Sequence, residues 1–229
     1  MSYGLIIRGN DEKTFITPNV TPMNFIKKII INVPASRNKQ KISVNTFIPD
    51  RYIVLPFIRA VNLRWRTASA RLIQSNPING YKTFIIDADS EGFELEIYLF
   101  ANFIPKLTNY GLEIYNKGQD LVYNNICQPL EIKFCPKPDH YFFGQNGERK
   151  LTDMIMIEQG FPVAALCTSY GLKSFTIGAN GGHITYHIFS TAIGSQVGLH
   201  LMYYTSSDKY QYNYPQIGDI AYIDTRKYQ

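Results

Sequence analysis

Two histidines four residues apart are the first side chains in this chain that could do chemistry. His183 and His187 lie in the sequence GGHITYHIF. On a helix, this spacing would place both imidazoles on one face, about 6 Å apart, as potential ligands of one metal ion. The context instead predicts a turn at Gly181 and Gly182 followed by a strand, on which the two side chains lie roughly 13 Å apart. We therefore expect ordinary histidines and no metal site.

A group of acidic residues is the second candidate, because a sugar-cleaving enzyme needs two carboxylates at a defined separation. Its members are Asp87, Asp89, Glu91, Glu94 and Glu96. Strand alternation explains the group without catalysis, since Glu94 and Glu96 would share a solvated face. The apolar residues between and beside them, Phe93, Leu95 and Ile97, would then face inward. A calcium site in the DADSEG turn and a polysaccharide depolymerase using these carboxylates are the alternatives.

Motifs for nucleophilic catalysis and phosphate binding are missing from the sequence. Ser195 is second in GSQVG, so it does not lie in a GxSxG elbow, and neither GxGxxG nor a P-loop occurs. Cys127, Cys135 and Cys167 are odd in number and lack CxxC pairing, which favours reduced, buried thiols over disulfides or a zinc site. The sequence therefore predicts a protein that is not an enzyme and uses no cofactor.

Aromatic side chains are better candidates for binding than these groups, because the chain has 17 Tyr and 14 Phe. Trp65, between Arg64 and Arg66, is expected to face the core, and the alternative is an exposed interface anchor. Tyrosines in and beside the polar segment near the C-terminus could contact a sugar or a neighbouring subunit. They are Tyr203, Tyr204, Tyr210, Tyr212 and Tyr214.

The elements that position these residues are predicted to be strands. Polar and apolar residues alternate, and turn signals recur about every ten residues, which is typical of β-sandwiches and jelly rolls. Helical periodicity without an intruding Pro or Gly is missing, so we expect little helix. The predicted strands are 25–31, 51–58, 61–66, 70–74, 82–87, 93–101, 130–134, 153–157, 162–167, 172–177, 183–189, 197–204 and 219–224.

A repeated motif predicts two related halves. Tyr3, Gly4 and Leu5 recur as Tyr110, Gly111 and Leu112, and Ile7 and Pro22 map to Ile114 and Pro129 at the same offset of 107 residues. Each copy continues into a turn and an apolar return, which predicts a short hairpin. A fainter echo at an offset of 102 residues relates Gly80, Thr83, Phe84, Ile86 and Gly92 to Gly182, Thr185, Tyr186, Ile188 and Gly194. The expected fold is all-β, with two tandem β-sandwich, jelly-roll-like modules at 1–107 and 108–229.

The segment YGLEIYNKGQDLVYN, and its weaker N-terminal form MSYGLIIRGNDEKTFIT, resembles a motif that recurs in minor tail and tail-fibre proteins of tailed bacteriophages. The match covers about 15 residues in each half. The N-terminal copy has Ile6, Arg8 and Gly9 where the second has Glu113, Tyr115 and Asn116. The resemblance implies a virion protein of the distal tail that is assembled in the host cytoplasm. It also implies that hairpins pair with another chain, so both YGL segments are candidate interface residues.

Charge and composition indicate which classes of partner the chain is expected to bind. The net charge of +5 comes from 23 basic and 18 acidic residues mixed along the chain, without the basic stripe of a nucleic-acid-binding protein. No apolar run is long enough to span a membrane as a helix. The expected partners are copies of the chain, other phage tail proteins, and a host glycan or protein. A carbohydrate-binding receptor-recognition module and a capsid decoration protein are the alternative functions.

Overall fold

The computed structural model describes residues 7–8, 14–16, 21–35, 40–62, 70–88, 91–102, 104, 112–115, 118–119, 121–136, 154–177, 182–206, 213–214 and 218–229. Most of these residues lie in strands, and the helical element among them is a short 3-10 helix at Thr225–Lys227. The prediction of an all-β fold with little helix is confirmed. Within these ranges no helix has the length and hydropathy needed to cross a bilayer.

The strands of the first half include one hairpin and two sheets. Hairpin strands β1 and β2 are followed by a three-stranded sheet in the order β4-β7-β6 and by β8, which pairs with both β3 and β5. The bounds are β1 Ile7–Arg8, β2 Thr14–Ile16, β3 Asn24–Ala35, β4 Gln40–Pro49, β5 Val54–Val61, β6 Ala70–Ile78, β7 Tyr81–Ala88 and β8 Glu91–Ala101.

The second half also begins with a hairpin, β10-β9, and its other strands belong to a sheet of 11 strands. The central path of that sheet is β11-β18-β13-β5-β15-β14-β17, and β16 pairs with β15 and β12. The bounds are β9 Glu113–Tyr115, β10 Leu121–Asn124, β11 Lys133–Cys135, β12 Met154–Glu158, β13 Val163–Leu166, β14 Ser169–Ile177, β15 Gly182–Ile193, β16 Gln196–Ser206, β17 Asn213–Tyr214 and β18 Ile220–Asp224.

Strand β5 joins the two halves through its backbone. It pairs antiparallel with β8 of the first half and, over Phe57 and Ile58, antiparallel with β13 of the second half. At its other end Ala60 pairs in parallel with Ile193 of β15. The two predicted modules are therefore hydrogen-bonded in one sheet, and the predicted boundary at 107 lies outside the described residues.

The buried side chains form three clusters. The first lies between β3-β8-β5 and β4-β7-β6, and its buried members, Ile58, Ile86 and Ile97 among them, all belong to the first half, although Cys167 and Ile193 of the second half pack against it. The second draws only on the second half. The third contains residues of both halves: Phe57, Tyr98, Phe100, Ala164, Ile223 and Tyr228. Each half thus has a core of its own, and an aromatic cluster holds the two together.

Most predicted strands agree with the structure. The short strand β17 was not predicted, and residues 51–53, predicted as strand, form a turn before β5. Strand β4 was not predicted, although Ile42, Val44 and Ile48 alternate with polar residues. The predicted strand 61–66 lies mostly outside the described residues, and Trp65 with it. Leu130 to Glu131 precede β11 as irregular chain, because the backbone there pairs with the start of β3 instead.

Candidate functional site

The two predicted hairpins are present, and they have the same register. Ile7 pairs with Ile16 in the first, and Ile114 pairs with Tyr123 in the second, which are equivalent positions at the offset of 107. The flanking pair Arg8 and Thr14 likewise corresponds to Tyr115 and Leu121, and both ladders carry an irregularity at the same place. The prediction of paired hairpins is confirmed.

The second hairpin, β9-β10, forms a two-stranded sheet of its own. Leu112 is tied to its base, because its N–H donates to Asn125 Oδ1 at 3.0 Å and its carbonyl accepts from Asn125 N at 3.2 Å. The Leu112 side chain is 53% exposed and Tyr115 is 47% exposed, whereas Val122 is buried. The hairpin thus buries Val122, while Leu112 and Tyr115 remain exposed apolar residues. Of the two YGL segments, Tyr3, Gly4, Leu5, Tyr110 and Gly111 lie outside the described residues.

The segments that follow the two hairpins bind each other. Phe25 N donates to Gln128 O, and Leu130 N donates to Met23 O, both at 2.8 Å. The side chain of Tyr228 completes this junction, because its hydroxyl accepts from Glu131 N at 2.8 Å and donates to the carbonyl of Pro129 at 3.0 Å. The segment that leads into β3 and the segment that follows β10 therefore meet at one junction between the halves.

The acidic group does not form the solvated face that the sequence predicts. Alternation holds, since Phe93, Leu95 and Ile97 are buried, but Glu96 is only 7% exposed. The face that carries Glu96 also carries Tyr98 and Phe100, which pack against the second half in the third cluster. The solvated-face interpretation is wrong for Glu96 because that face is covered by the other half.

Glu96 is neutralised by two cations from neighbouring strands. Arg59 Nε lies 2.9 Å from Oε2, as a charge contact rather than an aligned hydrogen bond, and Lys28 Nζ lies 3.3 Å from Oε1. Tyr98 donates its hydroxyl to Oε2 at 2.8 Å. Burial, and then this hydrogen bond, raise the pKa of Tyr98 well above its usual range. Arg59 also donates to Thr225 Oγ1 at 3.2 Å, which links the pair to the C-terminal helix.

Asp87 is likewise buried and paired. Arg71 contacts its Oδ2 at 2.8 Å through Nε and at 2.6 Å through a terminal nitrogen. The guanidinium also lies 5.5 Å from the ring centre of Phe189, in the second half. The solvated-face prediction therefore fails for Asp87 as well. Asp89 and the side chain of Glu91 lie outside the described residues.

An open groove of about 370 Å³ lies where β3, β5 and β8 end. Asn32, Asn62 and Glu94 contribute polar groups to it, and Asn62 Nδ2 donates to Glu94 Oε2 at 3.3 Å. Glu94 is the one acidic residue among the described residues that line this groove. A glycosidase needs two carboxylates, and the described lining of this groove provides a single one, Glu94.

The histidines lie on a strand as predicted. His183 and His187 are both in β15, and the ring of His187 stacks on Phe189 with centres 5.7 Å apart. Within the described ranges, no three His, Cys, Asp or Glu side chains are arranged to hold a metal ion.

The three cysteines are free thiols. Cys135 is buried, and Cys127 and Cys167 are half-buried. Burial raises the pKa of all three, and that of Cys167 reaches about 11. Cys167 Sγ accepts a hydrogen bond from Leu72 N at 3.1 Å, which connects β6 to the end of β13. High thiol pKa values make these groups poor nucleophiles.

The structure describes the backbone of three of the five C-terminal tyrosines that the sequence suggests as a binding surface. Tyr203 and Tyr204 lie in β16, opposite Tyr186 and Thr185 of β15, and Tyr214 lies in β17, opposite Leu172. Tyr210 and Tyr212 are outside the described residues. Their role as a binding surface stays a prediction.

An exposed aromatic pair, Phe47 and Tyr81, was not predicted as a site. The two ring centres are 6.0 Å apart with an angle of 59° between the planes, and Phe47 is 67% exposed. Phe47 has a φ of +55°, which is unusual for a bulky residue. Tyr81 opens β7 directly after Asn79 and Gly80, whose φ values of +52° and +78° form a tight hairpin turn.

Three side-chain hydrogen bonds hold Phe47 outward at a bulge in β4. Asn45 Oδ1 accepts from Phe47 N at 2.8 Å, and Thr46 Oγ1 accepts from Ile48 N at 3.1 Å. Thr46 also donates to the carbonyl of Lys82 at 2.8 Å. Thr46 and Ile48 are both buried on either side of the exposed ring. The Asn-Gly turn before Tyr81 can be recognised in the sequence. No short motif predicts the bulge in β4 that exposes Phe47.

One cation contacts this aromatic pair, and nearby positions in the chain carry two more. Lys27 Nζ lies 4.9 Å from the ring centre of Phe47, and burial lowers the pKa of Lys27. Lys82 pairs with Asp50 at 3.0 Å. Arg51 lies 4.9 Å above the ring of Tyr52 and donates to its hydroxyl. The arrangement can hold a flat apolar surface and an anionic group side by side.

Comparison with known protein families, with curated proteins and with solved structures finds no match to this chain.

Proposed function

We propose that the chain is a structural protein of a bacteriophage virion. It forms part of the distal tail, as a tail-tip or tail-fibre subunit, and it assembles as a homo-oligomer that helps attach the particle to its host. Support comes from the motif resemblance, from the all-β fold and from the hairpins that carry the motif. The protein does no covalent chemistry in this role.

The observation that carries the proposal is the exposed, separate second hairpin. An isolated two-stranded ribbon is marginally stable in water, so a partner that covers its free edges and exposed apolar residues would stabilise it. Unpaired strand edges bind another chain by adding its strand to the ladder. Leu112 and Tyr115 supply the apolar surface that such a contact would bury. In a symmetric oligomer, several weak contacts with the host would act together and raise the overall affinity.

Oligomerisation is the direct test of the hairpin's role. We expect the purified chain to elute as an oligomer in size exclusion with light scattering, and Leu112→Lys with Tyr115→Lys to shift it to the monomer. Burying two charges in an apolar contact would cost several kcal/mol, roughly a hundredfold or more in affinity. Ile73→Lys is the matched control, because Ile73 is an exposed apolar strand residue elsewhere in the chain.

A wild-type chain that stays monomeric at all concentrations, and binds no tail protein, would contradict this prediction. Antibody labelling of phage particles tests the location separately. Label at the tail end is expected, whereas label over the head would indicate the decoration-protein alternative.

A further inference from the structure

We propose that the aromatic pair formed by Phe47 and Tyr81 is a binding site for a carboxylate-bearing saccharide. Lys27, whose Nζ lies 4.9 Å from the ring centre of Phe47, supplies the positive charge that would select the acidic sugar. The inference concerns the isolated protein, so it does not depend on the virion role.

The two rings have the size and geometry of a sugar platform. Small-ligand sites combine aromatic walls with a few polar groups that fix orientation. The rings lie 6.0 Å apart and are inclined at 59°, so together they form an angled surface of about the width of one sugar ring. Phe47 keeps 67% of its surface exposed although Lys27 lies to one side, which leaves room for a ligand.

The backbone at Phe47 is fixed before any ligand arrives. A bulky residue at φ +55° is costly, and the chain maintains it through the hydrogen bonds of Asn45 and Thr46. A group already held in its binding position loses little conformational entropy on binding, which favours affinity from a small contact area. Packing of the core does not account for this strained backbone, because the Phe47 side chain points away from the core. Presentation of the ring to a ligand would account for it.

The charges favour an acid over a neutral sugar. Asp50 forms an ion pair with Lys82. Among the described residues, no carboxylate forms an ion pair with Lys27 or Arg51. Lys27, a cation without a carboxylate partner in the described part of the chain, lies beside this apolar surface and complements a ligand that has a carboxylate on a ring.

The same neighbours distinguish a saccharide from a protein partner. Protein hot spots lie at the dry centre of an apolar patch. Here Asn45, which accepts from Phe47 N, and Lys82, which follows Tyr81, are polar neighbours of the rings, and the exposed apolar residue Ile78 pairs with Tyr81 across the turn. A polar border suits hydroxyl groups better than a protein core contact.

Titration of the purified chain tests the proposal, with trigalacturonate and 3′-sialyllactose as acidic probes and maltotriose and lactose as neutral ones. Ligand-observed NMR and calorimetry should show binding of an acidic probe that weakens as salt is raised.

Phe47→Gly and Tyr81→Ala should each weaken the binding of the acidic probe by about tenfold or more, and Lys27→Gln by several-fold. Glycine accepts the φ of residue 47, so Phe47→Gly should melt no lower than wild type. Phe134→Ala, which removes another exposed ring, is the control and should bind as wild type does.

Four results would overturn the proposal. The first is binding of neither acidic probe, and the second is equal binding of the neutral ones. The third is affinity that survives Phe47→Gly. The fourth is an oligomer that this variant dissociates, which would make the pair a protein interface instead.

Discussion

At the scale of single residues, Glu96 shows how a carboxylate can be structural in a chain that offers several acidic candidates. Its contacts with Arg59, Lys28 and Tyr98 use the carboxylate oxygens within one buried network. Removing one member of a buried ion pair leaves an uncompensated charge, which costs more than the pair itself contributes.

We therefore expect Glu96→Ala to lower the free energy of unfolding by about 3–5 kcal/mol in urea denaturation, because Arg59 would remain buried without its partner. Glu94→Ala is the matched control on the same strand face, and its half-buried carboxylate should cost less than about 1 kcal/mol. Glu96→Gln keeps an acceptor for Tyr98 and should fall between them. Equal losses for Glu94→Ala and Glu96→Ala would show that the ion-pair network has no special weight.

At the scale of elements, the last strand and its 3-10 helix secure the chain's end. Every residue of β18 is buried, and Asp224 caps the helix by accepting from Arg226 N at 3.1 Å. The Arg226 side chain also contacts both carboxylate oxygens, at 2.9 and 2.6 Å. Because these bonds, and the ion pair with Arg226 above all, are stronger when the carboxylate is ionised, the cap depends on pH.

Acid should weaken this cap. The hydrogen bond from the Arg226 side chain lowers the pKa of Asp224 below its ordinary value of 3.8. A lowered folded-state pKa adds stability above pH 3.8 that is lost as pH falls through the folded-state value. The urea midpoint of the wild type should drop as pH is lowered from about 6 to 3, and the drop should be smaller in Asp224→Asn. An equally steep drop in that variant would assign the acid sensitivity to other carboxylates.

At the scale of the whole molecule, each half has a core of its own, but the halves share a packed cluster and a hydrogen-bonded sheet. Two cores lie on either side of the predicted boundary, while β5 and the third cluster belong to both halves. Phe57 and Phe100 are fully buried in that shared cluster. Separation of the halves would expose them, at roughly 1.5–3 kcal/mol for each large side chain.

We expect the intact chain to unfold in one cooperative transition followed by circular dichroism. Fragments 1–107 and 108–229, expressed alone, should be less stable, bind a hydrophobic dye, and recover stability when mixed, because mixing restores the shared cluster. Cooperative melting of each fragment at the temperature of the intact chain would contradict this and would make the halves independent domains.

The amino-acid sequence alone determined the strand class, most strand positions and the two hairpins. These depend on local patterns: alternation of side chains, Gly and Asn turns, and the YGL repeat at a constant offset. It also placed His183 and His187 on a strand, because periodicity of two is a local property.

Only the tertiary structure decided which faces are covered and which side chains meet. Alternation tells that Glu94 and Glu96 share a face, but whether water reaches it depends on Ile223 and Tyr228, more than a hundred residues away in the chain. The aromatic pair likewise needs Phe47 and Tyr81 from different strands and a bulge that no short motif announces. Burial and contact are long-range properties, since they arise from how sheets pack, whereas the pattern of a strand is fixed by its neighbours in sequence.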